Sequence, residues 1–176
     1  MAQTMYKPNF LSEERLSELS SWLSQLELFP GKNKKGNNID RMQKWFHLNG
    51  EYFNPYWKQE FDRWKGHSFP PVLLKILSLV NKELGTDMDS CLVNYYRDGN
   101  AFIPKHIDSI VSFGDHPIIV NISVGGSRTL RVAETDYILE NNSMFVMSGP
   151  TTEHQLLKDE TCKDPRWSLT FRKKIM

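Results

Sequence analysis

Two residues in the second half of the chain have the types and the spacing of metal ligands. His106 and Asp108 are separated by Ile107, so on an extended segment the imidazole and the carboxylate point to the same side. Two histidines and one carboxylate occupy one face of an octahedron, which lets non-haem iron(II) bind a bidentate cosubstrate and oxygen in the open positions. Alone, the pair is a weak signal, because a hydrogen-bonded surface pair has the same pattern.

The second histidine of such a site must come from another part of the chain. His154 lies 46 positions after Asp108 and follows a strand-like run and a Gly-Pro turn, so intervening strands can fold it back. His116 is the competitor, but Pro117 follows it and favours a loop. We therefore favour His154 on spacing, and we assign His47 and His67 to packing.

The run from Arg166 to Arg172 alternates strictly between polar and apolar residues, as a half-buried strand does. The apolar face is typical of a core. The polar face would present two guanidinium groups and two hydroxyls to a dicarboxylate, through charge-assisted and potentially bidentate contacts. A solvated strand face is the alternative. The polar positions are Arg166, Ser168, Thr170 and Arg172.

Asn94 and Tyr96 share one face of a strand-like segment that comes shortly before His106. An amide and a phenol could orient a carboxylate. Core packing explains Tyr96 equally well.

Helices dominate the first part of the chain and strands the second part. Ser12 is suited to cap a helix over residues 12 to 26, and a second helix begins near Pro71 and ends at Gly85. Lys32 to Asp40 is a polar run typical of an exposed loop. This order predicts an α+β domain whose second half is a sandwich or barrel. The predicted strands are Cys91 to Tyr96, Ile118 to Val124, Arg128 to Val132, Ser143 to Met147 and Trp167 to Phe171.

Composition limits the class of protein but names no partner. The 176 residues carry a formal net charge of +1 and two cysteines, too few for a disulfide framework. No apolar run approaches the length of a membrane span, and no export signal is visible. We expect a cytoplasmic monomer that makes no membrane contact, or a nuclear one if the source is eukaryotic.

Aromatic residues are dense between Trp45 and Phe69, where Lys44, Lys58, Arg63 and Lys65 are interspersed. Such a stretch suits the recognition of a nucleobase and its neighbouring phosphates. For any single aromatic residue, packing between helix and sheet is the commoner explanation.

Taken in order along the chain, these motifs resemble the AlkB family of Fe(II)- and 2-oxoglutarate-dependent dioxygenases. The resemblance implies a double-stranded β-helix (jelly-roll) core with N-terminal helices packed on the outside. It implies one domain over residues 1–176, with helices and a substrate-recognition lid in 1–85 and the catalytic β-helix in 86–176. The matching motifs are Asn94-Tyr95-Tyr96 with Gly99, His106-Ile107-Asp108, the run from Ile118 to Arg131, Ser148-Gly149 to His154, and the run from Arg166 to Arg172.

The resemblance also implies which groups the site holds. Iron(II) would be bound by His106, Asp108 and His154. The cosubstrate 2-oxoglutarate would be held by Arg166 and Arg172, with help from Asn94 and Tyr96. The alternation of the last strand adds the hydroxyls of Ser168 and Thr170, although Ser168 stands where bacterial members of the family carry asparagine. Family members use oxygen to decarboxylate 2-oxoglutarate to succinate and to hydroxylate an N-methyl group of a nucleobase in DNA or RNA. The product then loses formaldehyde.

The stretch from Arg41 to Tyr56 resembles the nucleotide-recognition lid of that family. Arg41 aligns with an arginine of the lid, and Trp45, Phe46 and Tyr52 are candidates for contacts to the base. Ile110 stands two positions past the metal aspartate, where nucleic-acid demethylases often have an acidic residue that holds a cationic base. Asp115 could serve instead.

Three functions follow from these observations. The first is oxidative demethylation of alkylated DNA or RNA. The second keeps the dioxygenase chemistry but acts on a nucleotide, a small metabolite or a protein side chain, which Ile110 and the small net charge favour. The third is a non-catalytic binding module, which the presence of all three predicted ligands and both arginines disfavours.

Overall fold

The computed structural model describes residues 2–33, 35–57 and 62–176. Lys58 and Phe61, two members of the aromatic stretch, lie outside the described residues. Within the described ranges, eleven strands and three helices form the framework, with short 3-10 turns at Pro55–Trp57 and Asp62–Trp64. The helices are α1 (Glu13–Gln25), α2 (Pro71–Leu84) and α3 (Ile110–Phe113). The strands are β1 (Gln3–Lys7), β2 (Phe29–Lys32), β3 (Asn38–His47), β4 (Ser90–Tyr96), β5 (Ile103–His106), β6 (Ile119–Gly125), β7 (Arg128–Val132), β8 (Thr135–Leu139), β9 (Ser143–Ser148), β10 (His154–Leu156) and β11 (Arg166–Arg172).

The strands form two antiparallel sheets. The larger has seven strands in the order β1-β9-β6-β11-β4-β3-β2, and the smaller has four in the order β5-β10-β7-β8. Consecutive strands such as β4 and β5 lie in different sheets, so the chain crosses repeatedly between the two layers. This topology brings the cavity-facing positions of β11 opposite those of β5 and β10.

Both long helices begin and end where the sequence predicts. The Ser12 side chain accepts a hydrogen bond from the Arg15 backbone N–H and caps α1, and Gly85 ends α2 at φ 64°, a backbone conformation that glycine adopts without steric penalty. Their apolar stripes join one hydrophobic cluster with the inward side chains of the large sheet, including Leu23, Leu73 and Leu169. The helices therefore cover one face of this sheet and leave its other face to the cavity.

Three strands precede Gly85, where we predicted none. β1 pairs with β9, and β2 and β3 extend the large sheet beyond β4. Residues 1–85 are therefore more than helices and a lid. The predicted loop from Lys32 to Asp40 is also wrong in part, because Lys32 pairs with Asn38 across a tight turn. Pairing with a neighbouring strand overrides weak local β-propensity in these polar segments.

In the part of the chain that the structure describes, no helix has the length and hydrophobicity needed to cross a membrane.

Gly99 lies where two backbone segments touch, in the loop between β4 and β5. Its N–H donates to the Cys162 carbonyl, and its carbonyl accepts from the Asp159 N–H, both at 2.9 Å. A Cβ atom built on Gly99 would lie 1.6 Å from the Asp159 carbonyl oxygen. The backbone would have to separate to accept any side chain.

We expect Gly99→Ala to lower the free energy of unfolding by about 1–3 kcal/mol or more, the range for overpacked sites. Urea denaturation followed by circular dichroism measures the change. The neighbouring Asn100→Ala is the control, because Asn100 is exposed. Equal stability of the two variants would show that the loops separate freely.

Candidate metal and cosubstrate site

The three predicted ligands lie together at one end of the small sheet. His106 ends β5, His154 begins β10, and the two are register partners in this antiparallel pair. Their rings are 4.3 Å apart between centroids. Asp108 lies two residues past the end of β5, and one ligand atom from each of the three residues lies within 4.8 Å of the others.

Hydrogen bonds orient both imidazoles so that their Nε2 atoms face the carboxylate. Nδ1 of His106 lies 2.9 Å from the Pro104 carbonyl oxygen, and Nδ1 of His154 lies 2.9 Å from the Thr152 carbonyl oxygen. A carbonyl only accepts, so each Nδ1 must carry the proton and donate. In the neutral ring Nε2 then holds a lone pair, directed at Asp108 Oδ1 over 3.8 Å from His106 and 3.5 Å from His154.

Asp108 is ionised although its side chain is only 5% exposed. Burial by itself would raise the pKa of this carboxyl, but the Arg172 guanidinium and His154 together hold it well below its ordinary value. Arg172 Nε donates to Asp108 Oδ2 at 2.5 Å. Because Arg172 occupies Oδ2, Oδ1 is the oxygen left for a cation.

The three side chains together form a set of donors for a divalent metal ion. Burial and the neighbouring His154 lower the pKa of His106, which disfavours an imidazolium in this position. Two imidazole nitrogens and one carboxylate oxygen therefore converge within ligand distance of one another. Two imidazoles with one carboxylate are the donor set that suits non-haem iron(II).

The site opens into a cavity of about 680 Å³ between the two sheets, a volume typical of small-molecule sites. His106, Asp108 and His154 line one part of it. The cavity-facing residues of the large sheet line another part, so the predicted ligands and the predicted cosubstrate residues share one cavity. Those residues include Asn94, Tyr96, Arg166, Ser168, Thr170 and Arg172.

Strand register arranges the polar residues of the large sheet in rows. Arg41, Tyr96 and Arg166 are partners across β3, β4 and β11, and Gln43, Asn94 and Ser168 form the next row. Each row runs perpendicular to the strands along the cavity wall. The predicted cosubstrate residues of β4 and β11 are therefore neighbours because of register alone.

Arg166 is 1% exposed and has polar partners on two sides. Its Nη2 donates to Ser123 Oγ at 2.8 Å and to Asn121 Oδ1 at 3.3 Å, and the guanidinium lies 5.2 Å from the centroid of the Tyr96 ring. Its Nε is buried without a partner. Burial lowers the pKa of Arg166 while the nearby Tyr96 opposes this. A buried guanidinium with no carboxylate partner among these contacts suits an anionic ligand.

Two of the three predicted base contacts, Trp45 and Phe46, lie in the protein interior, where they cannot contact a base in the cavity. Trp45 is 0% exposed and donates its indole N–H to the Glu51 carbonyl. Phe46 is on the opposite face of β3, in the cluster beneath the helices. Both are absent from the described cavity wall, because alternation on β3 directs one side chain into each of two cores.

The remaining lid and loop candidates differ in whether they line the cavity. Arg41 lines the cavity, and its Nη1 donates to the Phe102 carbonyl at 2.7 Å. Tyr52 and Ile110 are outside the described cavity wall, and Ile110 is 49% exposed. Asp115 lies outside this wall too, paired with His116 on the surface, so it is not placed to hold a base.

The structure adds cavity residues that sequence reasoning did not select. Phe53 and Trp57 are stacked at 5.7 Å with 17° between their planes, and both line the cavity with Trp64. They belong to the predicted aromatic stretch. Which of its side chains face the cavity depends on short irregular turns, so no sequence periodicity could identify them. Gln43 also lines the cavity, and its spacing of two from Arg41 on a strand could have identified it.

A family model described as the 2OG-Fe(II) oxygenase superfamily matches residues 3–172. Among curated proteins, the alpha-ketoglutarate-dependent dioxygenase alkB homolog 3 of Mus musculus is 28% identical over 120 residues, which are 58% of this chain and 42% of that protein. The Homo sapiens protein of the same name is 27% identical over 137 residues, 68% of this chain and 44% of that protein. These alignments span less than half of the length of either relative.

Solved structures of the same fold are more distant in sequence. A prolyl-4-hydroxylase from Pseudomonas putida aligns with a TM-score of 0.62 at 15% identity, covering 98% of this chain and 92% of that chain. An oxidoreductase of the 2OG-Fe(II) oxygenase family from Burkholderia pseudomallei gives 0.62 and 15%, with 96% and 82% covered. At this identity the likeness shows the fold alone, an antiparallel, jelly-roll-like architecture.

We expect His154→Ala to weaken the binding of Mn²⁺, an oxygen-stable substitute for iron(II), by more than the roughly 10–100-fold typical of losing an outer-shell partner. Isothermal titration calorimetry measures the affinity, and the melting temperature reports folding. His116→Ala is the matched control, because His116 is exposed and paired with Asp115. An equal loss of Mn²⁺ affinity in both variants would contradict the assignment of His154 as a metal ligand.

Proposed function

This chain belongs to the 2OG-Fe(II) oxygenase superfamily as an AlkB-like member that uses Fe(II), 2-oxoglutarate and O₂, and we propose that it demethylates N-alkylated nucleobases in DNA or RNA. The observation that carries the proposal is the convergence of His106, Asp108 and His154 on a cavity that also contains two buried arginines. The likeness to alkB homolog 3 supports the choice of substrate.

The metal would be held by His106, Asp108 and His154. Bound there, iron(II) would supply the oxygen activation that couples decarboxylation of 2-oxoglutarate with hydroxylation of the substrate. The two backbone carbonyls that accept from the Nδ1 atoms fix the rings in the ligating tautomer. Arg172 keeps Asp108 ionised and holds its Oδ2, so that the carboxylate presents one oxygen.

The cosubstrate would be bound by the polar face of β11. Arg166, with Tyr96 and Asn94 beside it, offers a buried cation to a carboxylate. Arg172 has a buried Nη1 without a partner, which provides a second donor near the metal ligands. Both guanidinium groups are buried, and burial strengthens their interaction with an anion.

The substrate would enter over an aromatic and basic wall. Phe53, Trp57 and Trp64 offer ring faces to a base that has left its stack, and Lys32 and Arg63 line the same cavity. Hydroxylation converts the N-methyl group into N-hydroxymethyl. Breaking the nitrogen–carbon bond then releases formaldehyde and restores the N–H.

A second candidate keeps the chemistry but takes a nucleotide, a small metabolite or a protein side chain. The charge of the cavity disfavours a cationic methylated base and in this respect favours the second candidate, because Asp108 is the one carboxylate in the described wall and Arg172 is paired with it. Five cationic side chains line the same wall: Lys32, Arg41, Arg63, Arg166 and Arg172. Such a cavity attracts anions and repels cations.

We expect purified protein with Fe(II), 2-oxoglutarate, ascorbate and O₂ to remove one methyl mass from an oligonucleotide carrying an N-methylated base. Mass spectrometry follows the oligonucleotide, and succinate is measured in parallel. His106→Ala should do neither, because the metal site loses a ligand. Succinate formation without demethylation would favour the second candidate, and no succinate, with identical behaviour of parent and variant, would favour a binding module.

The charge of the cavity predicts a preference between substrates. We expect a neutral base, 3-methyluracil, to be demethylated with a kcat/KM about tenfold above that of the cationic 3-methylcytosine, since like charges repel across a low-dielectric cavity. The two bases share the ring and the N3-methyl position and differ only at the C4 substituent and in charge. A preference for 3-methylcytosine would contradict the inference from the described wall.

A further inference from the structure

Gln43 forms a side-chain hydrogen bond to Asn94 across the large sheet. Its Nε2 donates to Asn94 Oδ1 at 3.1 Å, and the two residues are register partners on β3 and β4. Both line the cavity, and Asn94 is 4% exposed. The partner row continues to Ser168 on β11.

This contact determines which end of the Asn94 amide faces the cavity. A primary amide has an acceptor corner and a donor corner. When Oδ1 faces Gln43, the NH₂ group is left for a ligand in the cavity. The reverse pair, with Asn94 donating to Gln43 Oε1, would direct an acceptor at the ligand and repel a carboxylate.

We propose that Gln43 is a positioning residue for cosubstrate binding, acting through Asn94. It holds the Asn94 amide with its NH₂ toward the cavity, where a carboxylate of 2-oxoglutarate accepts from it. The inference rests on the proposed placement of the cosubstrate beside Asn94 and Arg166. Gln43 itself touches neither the metal ligands nor, in this proposal, the reacting atoms.

Gln43→Glu tests the direction of the amide with little change in shape. An ionised carboxylate only accepts, so Asn94 must turn its NH₂ to Glu and direct Oδ1 into the cavity. We expect the dissociation constant of 2-oxoglutarate, measured by anaerobic calorimetry on the Mn²⁺-loaded protein, to rise by at least about tenfold. Gln43→Ala frees the amide without reversing it and should raise this constant by about threefold to tenfold.

Two controls separate positioning from a general charge effect. Asn33→Asp adds the same negative charge to an exposed part of the cavity wall while keeping the two hydrogen bonds that Asn33 Oδ1 accepts from backbone N–H groups, and it should raise the dissociation constant of 2-oxoglutarate much less than Gln43→Glu does. In an Asn94→Ala background, Gln43→Glu should have no further effect, because the group through which it acts is gone. Melting temperatures show that each variant is folded.

A specificity change gives a second measurement. In Gln43→Glu, an Asn94 acceptor should favour a neutral amide over a carboxylate, so the ratio of affinities for 2-oxoglutaramate and 2-oxoglutarate should rise. Kinetics should show a higher KM for 2-oxoglutarate with kcat largely kept, since the metal ligands are untouched.

The result that overturns the proposal is a folded Gln43→Glu variant with parental affinity, or an equal loss in the presence and absence of Asn94. A wrong placement of the cosubstrate site would give a different result. In that case the Asn94→Ala and Arg166→Ala variants would both bind 2-oxoglutarate with parental affinity.

Discussion

The buried ion pair between Asp108 and Arg172 connects the two sheets at the site. Asp108 follows a strand of the small sheet, and Arg172 ends a strand of the large one. Burying either charge alone would be strongly destabilising, so the pair requires the sheets to meet at this point. The histidines then converge on the free oxygen of Asp108, and the geometry of the site follows from one electrostatic requirement.

Strict alternation on β11 allows one strand to serve the core and the cavity together. Leu169 and Phe171 lie at 0% exposure beneath the helices, while Arg166 and Arg172 face the cavity. A shift of one residue would exchange these faces and bury the guanidinium groups in the helix-covered core. Hydrophobic packing therefore secures the register that positions the charged groups.

The sequence predicted best where a pattern has a period or where spacing defines geometry. The two long helices, the five predicted strands and the clustering of His106, Asp108 and His154 follow from such patterns. The first strands did not, because β1 to β3 are polar or irregular and depend on partners distant in sequence. The aromatic contacts also failed, since Trp45 and Phe46 are adjacent on a strand that has a separate core on each side.

Arg128 adds a buried positive charge beside the cavity-lining residues Tyr96 and Arg166. This side chain is 2% exposed, and Nη2 donates to the carbonyls of Ala101 and Leu157 at 2.7 and 2.6 Å, which ties the segment before β5 to the segment after β10. The carbonyls accept hydrogen bonds from its Nη atoms, but they do not neutralise the guanidinium charge. Its guanidinium lies 5.8 Å from the Tyr96 ring centroid. Burial has the largest effect on the pKa of Arg166 and lowers it, Tyr96 raises it, and the charge of Arg128 lowers it further. The same cation that braces the ligand strands thus raises the potential where an anionic cosubstrate would bind.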